Sequence, residues 1–135
     1  MLDDSHKLIL ADDDLDDCFL FREALSELPV KATLTVVNDG DALLNALALS
    51  VAQLPNLIFL DLNMPRKDGM ECLREIKGTE ILQKIPVVIF STFINEELTR
   101  SLIDLGVVEC VMKPSSYVEL KDLILNVLLR NPVNC

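Results

Sequence analysis

Three consecutive aspartates, Asp12-Asp13-Asp14, close the apolar run Leu8-Ile9-Leu10-Ala11, and a fourth, Asp61, closes Leu57-Ile58-Phe59-Leu60. Apolar runs that end in carboxylates have the pattern of buried parallel strands whose carboxyl ends open onto a ligand crevice. Two carboxylates about 4 Å apart repel by roughly 4 kcal/mol at an effective dielectric near 20. Three or more together therefore require a divalent cation, a shared proton or a lysine, and the reading is an acidic metal pocket. Two further groups arrive at strand ends, Ser91 with Thr92 and then Lys113. Carboxylates hold an oxygen-loving cation, and Mg²⁺ suits a site with few protein ligands and several waters. A carboxylate left partly free can attack phosphorus, while a hydroxyl and an ammonium hold the transferred phosphoryl oxygens. Asn63, two residues beyond Asp61, can offer its backbone carbonyl to the metal, although its side chain cannot shuttle protons.

The elements that must position these groups are legible as alternating patterns. Strand-like runs occur at Lys7–Ala11, Ala32–Val37, Asn56–Asp61, Pro86–Ser91 and Glu109–Met112. Segments with helical periodicity lie at Leu15–Leu28, Asp41–Ser50, Met70–Lys77, Glu96–Leu105 and Tyr117–Leu129, with stops at Pro29, Pro55, Gly78 and Gly106. Asn38-Asp39-Gly40 is a turn, with Asp39 or Asp41 as the cap of the second helix. Five strand–helix alternations imply an α/β fold, a parallel sheet with helices on both faces. Right-handed crossovers then bring every strand's carboxyl end to one edge of the sheet, where Asp12, Asp13, Asp61, Ser91 and Lys113 meet. The last helix places Leu120, Leu123, Ile124, Val127 and Leu128 on one core face, and Val118, Leu125 and Leu129 lie outside that stripe. Those outlying positions read either as a wide buried face or as a homodimer contact through the last helix.

Bulk properties bound the rest. At 135 residues the chain reads as a single domain over 1–135, with no linker, repeat or low-complexity stretch. Half of it is hydrophobic and 4% aromatic, so the core must be built from Leu, Ile and Val. A net charge of −10 argues against nucleic acid or an anionic membrane as partner. With no apolar run of spanning length and no signal-peptide pattern, a cytoplasmic protein is expected. Cys18, Cys72, Cys110 and Cys135 lack metal-site spacing and read as reduced packing thiols. The single histidine, His6, reads as a solvated residue ahead of the first strand.

Taken together, Asp12-Asp13, Asp61-Leu62-Asn63-Met64-Pro65 with Asp68-Gly69, Ser91 after Pro86-Val87-Val88-Ile89-Phe90, and Lys113-Pro114 make the chain resemble a two-component response-regulator receiver domain over essentially its whole length. The resemblance implies a flavodoxin-like, doubly wound five-stranded sheet of order 2-1-3-4-5. It implies that Asp61 is the phospho-acceptor, taking a phosphoryl group from a sensor histidine kinase or phosphotransfer protein. By the same resemblance Asp13 and Asp61 bind Mg²⁺ directly, Asn63 through its main-chain carbonyl and Asp12 largely through water. Lys113 pairs with the phosphoryl group, Ser91 is the switch hydroxyl, and Lys113-Pro114 is a cis peptide. Asp14, Asp16 and Asp17 match no ligand of the family and read as acids favouring the start of the first helix through its dipole. Phytochrome-associated single-domain regulators are a similar subgroup.

Two departures bear on output. The family's aromatic three residues before the lysine is Cys110 here, so output is expected through Ser91, the loop at residues 92–97 or dimer rearrangement. Phe93 near the acceptor, with Asn63 offering no general base, implies slow self-dephosphorylation. No output domain is recognised, so the expected role is a relay or adaptor that binds an unidentified downstream protein, and not an enzyme beyond its own phosphorylation chemistry. Two alternatives stand against this. One is a phosphorylation-independent scaffold, which the intact residue set disfavours. The other is a haloacid-dehalogenase-type phosphatase, whose motif requires an acid where Asn63 stands.

Overall fold

The computed structural model describes residues 5–133. Its elements are β1 (His6–Ala11), α1 (Leu15–Ser26), β2 (Ala32–Val37), α2 (Gly40–Leu49), β3 (Leu57–Leu60), α3 (Gly69–Lys77), β4 (Val87–Ser91), α4 (Glu96–Asp104), β5 (Glu109–Met112) and α5 (Tyr117–Arg130). The five strands form one parallel sheet in the order β2-β1-β3-β4-β5. The expected fold is therefore the observed one, with element ends displaced by a residue or two.

A period of two along the central strands divides the interior into two layers. Leu8, Leu10, Leu57, Phe59, Val88 and Phe90 face α1 and α5, where Phe21, Ala24, Ile124 and Val127 meet them. Ile9, Ala11, Ile58, Leu60, Val87 and Ile89 face the other way, onto Leu43 and Leu47 of α2, Leu73 and Ile76 of α3, and Leu102 of α4. Strands β1, β3 and β4 are apolar without alternation because both of their faces are covered. Phe21, Phe59 and Phe90 pack edge to face, with centroids 4.9, 5.7 and 6.2 Å apart. Three of the chain's few aromatics thus lie directly beneath the carboxyl ends of the strands.

Each helix starts at that same sheet edge with a polar N-cap: Asp14, Asp39, Asp68, Asn95 and Ser116. Asp39, not Asp41, caps α2, accepting from the Ala42 N–H at 2.8 Å. At α3 the cap is reciprocal: Glu71 N–H donates to Asp68 and the Asp68 N–H donates to Glu71, at 2.9 and 3.1 Å. Gly69, the first residue of this helix, lies against the strand end that carries Asp61. A Cβ there would stand 2.5 Å from the Asp61 carbonyl oxygen, a distance that only glycine avoids.

Several expectations need correction. His6 is the first residue of β1 and is buried, because its N–H donates to Lys31 O at 2.9 Å and extends the pairing with β2 by one residue. Among the described residues every peptide bond is trans, Lys113–Pro114 included, so the cis bond implied by the resemblance is not present. Cys18 and Cys72 are buried, and burial pushes both thiols up to about 11, as expected for unreactive packing groups; Cys110 is half-buried, and Cys135 lies outside the described residues.

Phe21 is fully buried at the centre of the aromatic cluster. Phe21→Ala is expected to lower stability by about 3–5 kcal/mol, the usual cost of truncating a core phenylalanine. Urea denaturation should show a lower midpoint with an unchanged slope. A loss below 1 kcal/mol (roughly the surface range) would show that the cluster does not hold α1 to the sheet.

Candidate functional site

Adjacency of β1 and β3 in the sheet brings Asp12 and Asp61 side by side. Each is fixed by a backbone bond that prolongs its strand: Asp12 N–H donates to Val37 O at 3.0 Å and Asp61 N–H to Ala11 O at 2.9 Å. β4 and β5 deliver the other two groups, and Lys113 N–H donates to Ser91 O at 2.8 Å. The predicted residues therefore converge because the ladder continues past the last paired residue of each strand.

The side chains make one connected group. Lys113 Nζ lies 2.7 Å from Asp12 Oδ2, 2.8 Å from Asp17 Oδ2 and 3.1 Å from Asp61 Oδ2. The contacts with Asp17 and Asp61 are hydrogen bonds; that with Asp12 is an ion pair by distance, without the angle of a directed hydrogen bond. Both oxygens of Asp61 have donors, since Oδ1 accepts from Asn63 N–H at 3.2 Å and from Ser91 Oγ at 3.3 Å. Asp12, Asp61 and Ser91 are buried, whereas Asp13, Asn63 and Thr92 are exposed. Phe90 closes the floor beneath the lysine, its ring centroid 5.7 Å from Nζ.

Burial pushes the Asp12 carboxyl up to about 6, and the charge on Asp61 adds to this, although Lys113 and the Asp14 N–H favour the carboxylate. Burial also disfavours the Lys113 ammonium, but contacts with Asp12, Asp17 and Asp61 outweigh it and hold its pKa above the ordinary lysine value. The asymmetry follows from numbers: one cation serves three anions, so the cation is over-satisfied and the most buried anion is under-satisfied. Carboxylate oxygens of Asp12, Asp13 and Asp61 lie within 4.8 Å of one another, a donor set of hard oxygens that fits a divalent ion.

The structure brings Asp12, Asp61, Ser91 and Lys113 into contact or near it, sets the Asp13 carboxylate at the rim of the group, and ties Asn63 to it through its N–H. Asp17 sits in the first turn of α1, as the dipole reading expects, and its carboxylate also reaches the lysine, which the sequence reading does not include. Its place three residues after the N-cap Asp14 follows from the helix start, but its direction depends on what satisfies the Asp14 N–H.

The fold and this constellation define a class. Residues 8–125 match the response regulator receiver domain, and the chain belongs to that family. The response regulator Rcp1 of Synechocystis sp. is 37% identical over 123 residues, covering 86% of this chain and 80% of that protein. Among solved structures, the phosphorylated cyanobacterial phytochrome response regulator RcpA superposes with a TM-score of 0.85 at 34% identity, covering 94% of each chain. The Mn²⁺-bound form of Rcp1 superposes with a TM-score of 0.76 at 32% identity, covering 91% of each.

The raised Asp12 pKa has a definite sign. The folded protein holds this proton more tightly than the unfolded chain, so the group's contribution to stability is fully present below the ordinary value of 3.8 and is lost as pH rises through about 6. In buffer containing a metal chelator, Asp12→Asn should melt higher than wild type at neutral pH, and the gap should shrink as pH falls through about 6. Thermal melts across that range check it, and a gap that widens towards acid would contradict it.

Proposed function

We propose that this chain is a response regulator that accepts a phosphoryl group on Asp61 from the phosphohistidine of a sensor kinase or phosphotransfer protein and signals by phosphorylation-dependent protein contact. The observation that carries the reading is the set of donors around a buried Asp61: Lys113 on one carboxylate oxygen at 3.1 Å, Ser91 and the Asn63 N–H on the other at 3.3 and 3.2 Å. An Asp61 oxygen attacks phosphorus, the P–N bond breaks, its electron pair goes to the imidazole, and the imidazole is reprotonated from solvent. The product is an acyl phosphate. Lys113 and Ser91 then donate to phosphoryl oxygens in place of the carboxylate oxygens they now contact. Asp12, Asp13, Asp61 and the Asn63 carbonyl would hold Mg²⁺, which supplies positive charge against the phosphoryl oxygens.

Asp12 is fully buried, and that supports its role as a fixed anchor for the cation instead of a group exposed to incoming donors. Phe93 is 64% exposed beside the Ser91 strand end, and no acid stands at Asn63. We read both features as favouring a long-lived acyl phosphate, since Asn63 offers no carboxylate to act as a base toward water. Exposed Val118 and Leu129 on α5 support a second copy docking through the last helix. No helix among the described residues is long and apolar enough to cross a membrane. A net charge of −10 supports protein partners over nucleic acid or an anionic membrane, and we place the protein in the cytoplasm, where sensor-kinase phosphotransfer takes place.

Incubation with Mg²⁺ and acetyl phosphate should add one phosphoryl group by intact mass, with none in chelator and none in Asp61→Asn. After removal of donor the adduct should persist for minutes. Absence of both this adduct and a beryllofluoride complex would overturn phosphorylation as the function, and loss within seconds would contradict the slow hydrolysis.

A further inference from the structure

Asp17 is neither the proposed acceptor nor one of the proposed metal-holding residues, yet its carboxylate accepts one of the two directed hydrogen bonds donated by Lys113 Nζ, at 2.8 Å. Its position is N3 of α1, where an acidic side chain ordinarily folds back to the N-cap N–H. In α3 that is what happens, with Glu71 accepting from Asp68 N–H at 3.1 Å. In α1 the equivalent N–H, that of Asp14, is taken at 3.0 Å by Asp12 Oδ1. The capping role is therefore filled from β1, and the Asp17 carboxylate is released to reach across to β5.

We propose that Asp17 is a positioning residue for Lys113, holding the ammonium from the α1 side so that Nζ is aimed at the phosphoryl oxygens when Asp61 is modified. This rests on Asp61 being the phospho-acceptor. Of the three carboxylates around Nζ, Asp12 and Asp61 belong to the group whose oxygens converge for a cation, and Asp17 does not. Once a cation and a phosphoryl group occupy Asp12 and Asp61, Asp17 is the carboxylate left to anchor the lysine. A free lysine side chain has rotamer freedom to lose, so an anchor made beforehand removes that cost from the transfer step. The negative charge of Asp17 opposes the phosphoryl charge, but the ammonium stands between them and the carboxylate is 33% exposed, so solvent weakens the repulsion.

The test is the initial rate of labelling by acetyl phosphate at saturating Mg²⁺, read by quenched intact mass, in wild type, Asp17→Ala, Asp17→Asn, Lys113→Ala and the Asp17→Ala/Lys113→Ala pair. Asp17→Ala should lower the maximal rate by about tenfold, the effect of one charged hydrogen bond, and leave the half-saturating donor concentration within about twofold. Asp17→Asn keeps an acceptor oxygen and should recover most of the rate. In the Lys113→Ala background, removal of Asp17 should have no further effect. A wild-type maximal rate in Asp17→Ala, or the same fold loss with Lys113 already absent, would overturn the proposal. Labelling of Asp61→Asn at the wild-type rate would instead overturn the acceptor assignment.

Discussion

One ammonium group, Lys113 Nζ, stands within 3.1 Å of three carboxylates at the carboxyl edge of the sheet, and the site's construction follows from that contact. Buried carboxylates repel one another strongly and are tolerated only beside a cation. A buried ammonium is equally costly without anions. The sheet order places β1 beside β3 and β4 beside β5, so that Asp12 meets Asp61 and Lys113 is tied to Ser91. The lysine does not complete the neutralisation, because one positive charge faces three negative ones, and the remaining excess leaves Asp12, Asp13 and Asp61 as a donor set suited to a divalent ion.

Local structure at two helix starts shows how similar sequence patterns serve different ends. Asp68 and Glu71 close a reciprocal cap on α3, and Gly69 lets that helix start pack against the backbone of Asp61. Asp14 and Asp17 have the same spacing on α1, but Asp12 intervenes as acceptor and the box stays open. The first of these packs the start of α3 against the backbone of Asp61. The second turns a helix-capping position into a partner for the lysine.

Most of the fold was legible because two strong signals agree. Apolar runs such as Leu57-Ile58-Phe59-Leu60 are too short for helices and end in chemistry-bearing residues, and the intervening segments carry helical periodicity. Asp12, Asp13, Asp61, Ser91 and Lys113 could be assembled on paper because a parallel sheet sends every strand end to one edge. Asp17 could not be, because its direction depends on which oxygen satisfies the Asp14 N–H, a three-dimensional competition between β1 and α1. His6 is a similar case: it is buried as the first residue of β1, its N–H pairs with the Lys31 backbone, and no pattern in its immediate neighbours reveals so distant a partner. The Lys113–Pro114 bond was read from the resemblance alone, and it is trans.

The most direct measurement is a crystal structure of the protein with Mg²⁺ and beryllofluoride. If Lys113 is the shared counter-ion that changes partners, Nζ will have left Asp12, will contact a fluorine on the Asp61 adduct and will keep its bond to Asp17, with the metal on Asp12, Asp13 and Asp61. A lysine still paired with Asp12, beside an Asp61 that carries no adduct, would contradict it.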